Sequence, residues 1–268
     1  MITQDFILDK GGIVSATLTK TVEITDAQKR QYEDAGFFVL ERVIPPEHLT
    51  LLREECARLM RLQDEEMDRR GTDHLGLSFK GRRYFLSAWH QSERVKEFMF
   101  SPVMADICRA LLGDTAFLAF EQFVVKGPEQ GMSFAWHQDS GYVNRPHRPY
   151  LTCWCMLDDV TEENGTVYML PYDRAGTRER VEHVKDEAKG DLIGYFGDDP
   201  GVPVVAPAGS IACFASTVFH RSGPNITDKF RRIFLPQYSA EPILKPDGSG
   251  PYYLAEPFLR DGRIVAGY

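Results

Sequence analysis

The stretch Trp136-His137-Gln138-Asp139 decides how this chain is read, because it sets an imidazole and a carboxylate two residues apart inside a region rich in strand-forming residues. On an extended strand alternate side chains share one face, so His137 and Asp139 both reach a single ion. Alone, the pair equally fits a hydrogen-bonded couple on a surface. His220 lies eighty-one residues beyond Asp139, within Phe219-His220-Arg221-Ser222-Gly223-Pro224-Asn225, and offers a third ligand. Two neutral imidazoles and one carboxylate occupy one face of an octahedral iron and leave three positions open.

Working outward from this stretch, strand-like runs cover residues 116–126, 150–157, 167–170, 202–205, 210–214 and 231–238, separated by Gly, Pro, Asn or Asp. Pro203 makes the fourth run an edge strand at best. Asn164-Gly165 is a tight-turn signal. Before this body the character is helical. Thr25-Asp26-Ala27-Gln28 forms a capping box closed by Gly36, Pro45-Pro46 opens a longer helix to about Arg70, and Ser101-Pro102 caps another that ends at Gly113. Phe37-Phe38-Val39-Leu40 reads as a short strand, and residues 1–22 as an arm or edge strand. Segments 71–83 and 174–190 read as loops. The layout predicts a mainly β fold with flanking helices, an antiparallel barrel or jelly roll with N-terminal helices packed on it. One domain over 1–268 suffices, with a helix-rich part (1–114), a core (115–240) and a C-terminal extension (241–268).

The net charge of −8 argues against nucleic acid, which demands a basic stripe. Met1-Ile2-Thr3-Gln4-Asp5 lacks the basic start of a secretory signal, and apolar segments such as 211–219 fall short of the ~20 residues of a membrane span. A cytoplasmic protein acting on a small molecule is the expectation. Cys56, Cys108, Cys153, Cys155 and Cys213 match no zinc or redox pattern and read as buried reduced thiols.

Trp136-His137-Gln138-Asp139, Leu157-Asp158-Asp159 to Glu163-Asn164-Gly165, and His220-Arg221-Ser222-Gly223-Pro224-Asn225 with Arg231 together resemble the phytanoyl-CoA dioxygenase-like branch of the Fe(II)/2-oxoglutarate oxygenases. The likeness runs from about Thr25 to Tyr238. It implies a double-stranded β-helix of the cupin-like kind, with Fe(II), 2-oxoglutarate and O₂ as cofactors. His137, Asp139 and His220 match the family's metal ligands. Arg231, eleven residues after His220, matches its 2-oxoglutarate arginine, whose planar fork suits a carboxylate. Ser222, Gln122, Gln138 and Trp154 fall where relatives line the co-substrate pocket. Tyr172-Asp173-Arg174 departs from the family's usual Gly-Ser-His, so no relative's substrate carries over. The resemblance implies oxidation of a small metabolite with release of succinate and CO₂. Hydroxylation is the default outcome, with desaturation or cyclisation as variants; Asp139 stands where halogenases of the superfamily leave room for chloride.

Substrate contacts are expected from Arg83, Trp89, Trp136, Tyr142 and Arg145, with Arg82, His90, Asn144 and His147 as further members of a polar, aromatic-rimmed mouth. His48, His74 and His183 read as surface histidines, and Asp158-Asp159 as turn formers. Arg231 and Arg232 point to opposite strand faces, Arg231 inward. Two other functions fit the ligand set: a binding module or sensor that does no turnover, and a metal-dependent isomerase or hydrolase on a cupin-like barrel. The module would still bind 2-oxoglutarate and metal; Arg231 discriminates against the isomerase or hydrolase, whose chemistry needs no carboxylate clamp.

Overall fold

The computed structural model describes residues 21–128, 133–143, 145–186 and 191–265. Residues 1–20 of the expected arm, and Asn144, lie outside the described residues. The helical part comprises α1 (Asp26–Ala35), β1 (Phe37–Leu40), α2 (Pro46–Arg70), three short strands β2 (His74–Leu75), β3 (Ser78–Phe79) and β4 (Arg83–Leu86), then α3 (Glu93–Met99) and α4 (Pro102–Leu111). Its caps follow the sequence. Thr25 and Gln28 exchange both bonds of the capping box, Gly36 closes α1 at φ 87°, and Ser101 accepts from the Met104 N–H. A side chain at Gly36 is excluded twice, by that φ and because its Cβ would lie 2.3 Å from Val218.

The body comprises β5 (Ala116–Lys126), β6 (Phe134–His137), β7 (Leu151–Met156), β8 (Val167–Leu170), α5 (Tyr172–Ala175), β9 (Val184–Lys185), β10 (Leu192–Ile193), β11 (Val202–Pro203), β12 (Ile211–Ala215), β13 (Phe219–Ser222), β14 (Arg231–Ser239), β15 (Glu256–Arg260) and β16 (Arg263–Ile264). A ten-stranded antiparallel sheet runs β1-β12-β7-β14-β5-β4-β3-β2, with β15 and β16 added on β5. A four-stranded sheet runs β11-β8-β13-β6. The two sheets form a double-stranded β-helix.

Alternation along the strands of the large sheet builds two cores. On β14, Phe234 and Tyr238 face a cluster shared with Leu52 and Cys56 of α2, Phe98 of α3 and Ile107 of α4. Ile233 and Leu235 face the interior between the sheets, with Trp154, Met169 and Phe214. Cys153 and Cys155 fall on the helix side, Trp154 on the interior side. All five cysteines are buried and unpaired by disulfides. The helices thus cover the outer face of the large sheet, and Arg53 Nε on α2 donates to the Leu157 carbonyl at 2.8 Å.

Three departures have physical reasons. Segment 71–83 was expected as a loop, but β2, β3 and β4 carry the large sheet outward, with β4 pairing along β5 from Arg83↔Lys126 to Leu86↔Phe123. Pairing partners make these strands; their own periodicity is too short to register. Second, Asp158 is no turn former: it accepts from Arg232 Nη2 at 2.6 Å and from the Arg232 N–H. Third, the β14–β7 ladder pairs Phe234↔Cys155 and resumes at Gln237↔Thr152. Pro236, which has no N–H to donate, sits in the skipped stretch.

Candidate metal centre

His137 and His220 are direct cross-strand partners on β6 and β13, their rings 4.2 Å apart between centroids. Each ring is fixed by its own strand. His137 Nδ1 donates to the Ala135 carbonyl at 2.8 Å, and His220 Nδ1 to the Val218 carbonyl at 3.1 Å, so in each ring Nε2 is the nitrogen left for a metal. Burial, then the neighbouring His220, holds the His137 pKa well below the usual imidazole value, which keeps it neutral. Asp139 opens a 3₁₀ turn (Asp139–Tyr142) after an extended Gln138, so the two-residue spacing still aims both side chains one way.

The carboxylate is divided by its partners. Oδ2 accepts from Thr152 Oγ1 at 2.6 Å and Gln237 Nε2 at 2.9 Å, while Oδ1 lies 3.5 Å from His220 Nε2. One ligand atom from each of His137, Asp139 and His220 falls within 4.8 Å of the others. That donor set fits one divalent ion bound on one face.

The triad opens into a cavity of about 300 Å³. In its wall stands Arg231, 1% exposed, with Nη2 donating to the Gly165 carbonyl at 2.8 Å. Gly165 itself admits no side chain: its φ is +82°, and a Cβ there would lie 2.7 Å from the Gly223 carbonyl. Arg231 Nε and Nη1 are buried without an acceptor. Burial pushes the guanidinium down to about 9, still cationic at neutral pH. Two orphaned donors on a buried cation fit an oxyanion such as a carboxylate. Arg232 points away, into its pair with Asp158.

Ser222, Gln122, Trp154, Arg83 and Tyr142 also line this cavity. Gln138 does not. It is fully buried, donating to the Glu179 and Thr217 carbonyls and accepting from the Val181 N–H, so it ties the segment around His183 to the metal-bearing stretch. Trp89 packs on Phe100 beneath Lys96, because the buried Glu121 carboxylate accepts from the Ala88 and Trp89 N–H groups and pins that loop. Trp136, next to His137, faces the other side of β6 and stacks with Arg221. Arg145 donates to the Leu244 and Lys245 carbonyls in a separate smaller cavity with His147. Arg82 and His90 are exposed. Nor are all the remaining histidines on the surface: His48 is buried against Phe98, and His183 Nε2 accepts from the Gln138 N–H.

Several site residues were not anticipated. Thr152 lies two residues before Trp154 on β7 and Gln237 six after Arg231 on β14, so strand alternation puts each on the face of a residue already singled out. Phe120 shares the cavity-facing row of β5 with Gln122. Tyr253 has no such signal; it comes from the C-terminal extension and packs on Phe120 at 5.0 Å. Tyr142, Tyr150 and Tyr253 crowd the Asp139 side, and burial foremost raises all three phenols, keeping them protonated. The cavity therefore sets the Arg231 cation beside Trp154 at one place and these three phenols around Asp139 at another.

The family model for phytanoyl-CoA dioxygenase (PhyH) matches residues 32–233. The chain belongs to the phytanoyl-CoA dioxygenase family. Among curated relatives, the phytanoyl-CoA dioxygenase domain-containing protein 1 of Danio rerio is 23% identical, the match covering 79% of this chain and 88% of the relative. A probable alpha-ketoglutarate-dependent hypophosphite dioxygenase of Stutzerimonas stutzeri is 22% identical, covering 88% and 86%. Among solved structures, the epimerase SnoN in complex with Fe3+, alpha ketoglutarate and nogalamycin RO superposes with a TM-score of 0.62 at 19% identity, over 88% of this chain and 96% of that one. The structural likeness establishes the shared fold.

Proposed function

We propose that this family member is an Fe(II)- and 2-oxoglutarate-dependent dioxygenase that oxidises a small molecule, with His137, Asp139 and His220 holding the metal and Arg231 the co-substrate. The observation that carries the reading is Arg231, a buried cation with two unmatched donors in the same cavity as the triad. An isomerase or hydrolase on the same ligands has no use for that clamp. When bound, the metal supplies oxidising chemistry with O₂ and 2-oxoglutarate, which leaves as succinate and CO₂.

The chain's own residues have separable tasks. Nε2 of each histidine and Oδ1 of Asp139 bind the ion, while Thr152 and Gln237 hold Oδ2 and fix the carboxylate's rotation. Arg231, with Ser222 and Trp154 beside it, anchors the far carboxylate of 2-oxoglutarate. The part walled by Phe120, Tyr142, Tyr150 and Tyr253 receives the apolar part of the substrate and excludes water. One catalytic unit does this, since β4 contributes Arg83 and the C-terminal extension Tyr253. Five reduced buried cysteines support a cytoplasmic setting. Among the described residues no helix is long and apolar enough to cross a membrane.

A panel of small metabolites, tested with Fe(II) and 2-oxoglutarate for substrate-stimulated oxygen uptake, examines the proposal. Stimulation by one class of compound supports it. Anaerobic turnover without 2-oxoglutarate supports an isomerase or hydrolase instead, and tight 2-oxoglutarate binding that never leads to oxygen uptake supports a sensor.

A further inference from the structure

Three cations stand in a row across adjacent strands of the large sheet: Arg83 on β4 is the register partner of Lys126 on β5, and Lys126 that of Arg231 on β14. Like charges directly opposite on a sheet repel, so the row is destabilising unless something anionic answers it. Asp191 attracts Lys126 and Arg83 but binds the Ala135 N–H. Lys126 is the least explained member. It is 1% exposed, and among the described residues its Nζ has only neutral partners, Ser222 Oγ at 2.7 Å and the Gly223 carbonyl, with the Phe134 ring 5.1 Å away. A buried ammonium with no carboxylate bonded to it is costly, and burial, then Arg231, depresses its pKa well below the usual lysine value.

Nζ must donate to the Gly223 carbonyl, and as an ammonium it can only donate to Ser222 Oγ as well, which leaves the hydroxyl its single proton to give. Ser222 lines the cavity beside Arg231, and among the described residues its hydroxyl has no other partner. We propose that Lys126 is a positioning residue for the co-substrate: it fixes the Ser222 hydroxyl as a donor beside Arg231 and adds a second positive charge behind it, so that the pair selects a keto acid with a far carboxylate. This rests on the assignment of Arg231 to 2-oxoglutarate. Lys126 touches neither metal nor ligand; it acts through Ser222.

Calorimetric titration of Mn(II)-loaded protein with 2-oxoglutarate, and with 2-oxobutanoate, which lacks the far carboxylate, tests this. Lys126→Met is expected to weaken 2-oxoglutarate about tenfold or more while leaving 2-oxobutanoate within about twofold, because only the far carboxylate loses its charge-assisted contact. Ser222→Ala should do the same, and the double variant little more than either single one. Unchanged 2-oxoglutarate affinity in Lys126→Met overturns the inference, as does equal weakening of both keto acids, which marks a merely structural lysine, or losses that simply add. If Lys126→Met does not fold, Lys126→Gln decides: an unchanged preference for 2-oxoglutarate overturns the inference, and a weakened one supports it. Wild-type protein that binds neither keto acid overturns the underlying functional reading, a separate outcome from any of these.

Discussion

Asp139, in the proposed role of metal ligand, has its two carboxylate oxygens already distinguished. Thr152 and Gln237 occupy one of them and leave the other to an ion. Gln237→Leu removes the amide and frees the carboxylate to rotate; metal affinity is expected to fall about 10- to 100-fold, the range typical for such supporting partners, as read by equilibrium dialysis with Mn(II). Arg231 carries the opposite logic, donors waiting for an acceptor. Arg231→Leu should abolish the rise in melting temperature that 2-oxoglutarate gives the metal-loaded wild type, where ligand at 100 times its Kd contributes about 2.7 kcal/mol. An equal rise in the variant places the co-substrate elsewhere. At this scale the sequence was most informative where chemistry demands a residue type: the triad and Arg231 stand out by identity and spacing. It misled where a plausible type serves packing. Trp136 and Gln138 flank His137, so strand alternation turns both from the cavity, while Trp89 and Arg145 are held elsewhere by neighbours no local pattern reveals.

At the scale of elements, β14 links site and scaffold. Its odd residues give Arg231, Ile233, Leu235 and Gln237 to the interior, and its even ones give Phe234 and Tyr238 to the helix side. Period-two alternation made this strand, β5 and β7 legible, as capping chemistry did α1 and α4. The short β2, β3 and β4 were not legible because β5 specifies them. Helix α2 is bound to the sheet by residues such as Leu52, fully buried in the outer core. Leu52→Ala should cost about 2–5 kcal/mol, measured by urea denaturation. The same helix carries His48, buried beside Phe98, whose pKa burial lowers. Below about pH 6.5 the unfolded chain takes up a proton that folded His48 resists, so stability present above that pH is lost as pH falls toward the depressed folded value. His48→Leu should flatten the acid side of the stability profile in urea melts; an unchanged slope assigns that acid sensitivity to other groups.

Over the whole molecule, the helices and large sheet form a scaffold whose inner face meets the four-stranded sheet around the cavity. Both histidines belong to the small sheet, while Arg231 and the residues holding Asp139 belong to the large one. The site therefore exists only when the two sheets are joined. The cavity draws on the C-terminal extension through Tyr253, and sequence reading missed this because nothing local marks that tyrosine as a lining residue. In the proposed reading, substrate selection belongs to the side of Tyr253, and the reaction class to the triad and Arg231. The most direct test of this division is succinate formed from 2-oxoglutarate under air by Fe(II)-loaded wild type, His137→Ala and Arg231→Leu, with a stimulating substrate present. The structure predicts succinate from the wild type, none above background from His137→Ala, and strongly reduced formation at low 2-oxoglutarate from Arg231→Leu. Equal succinate from all three proteins would contradict it.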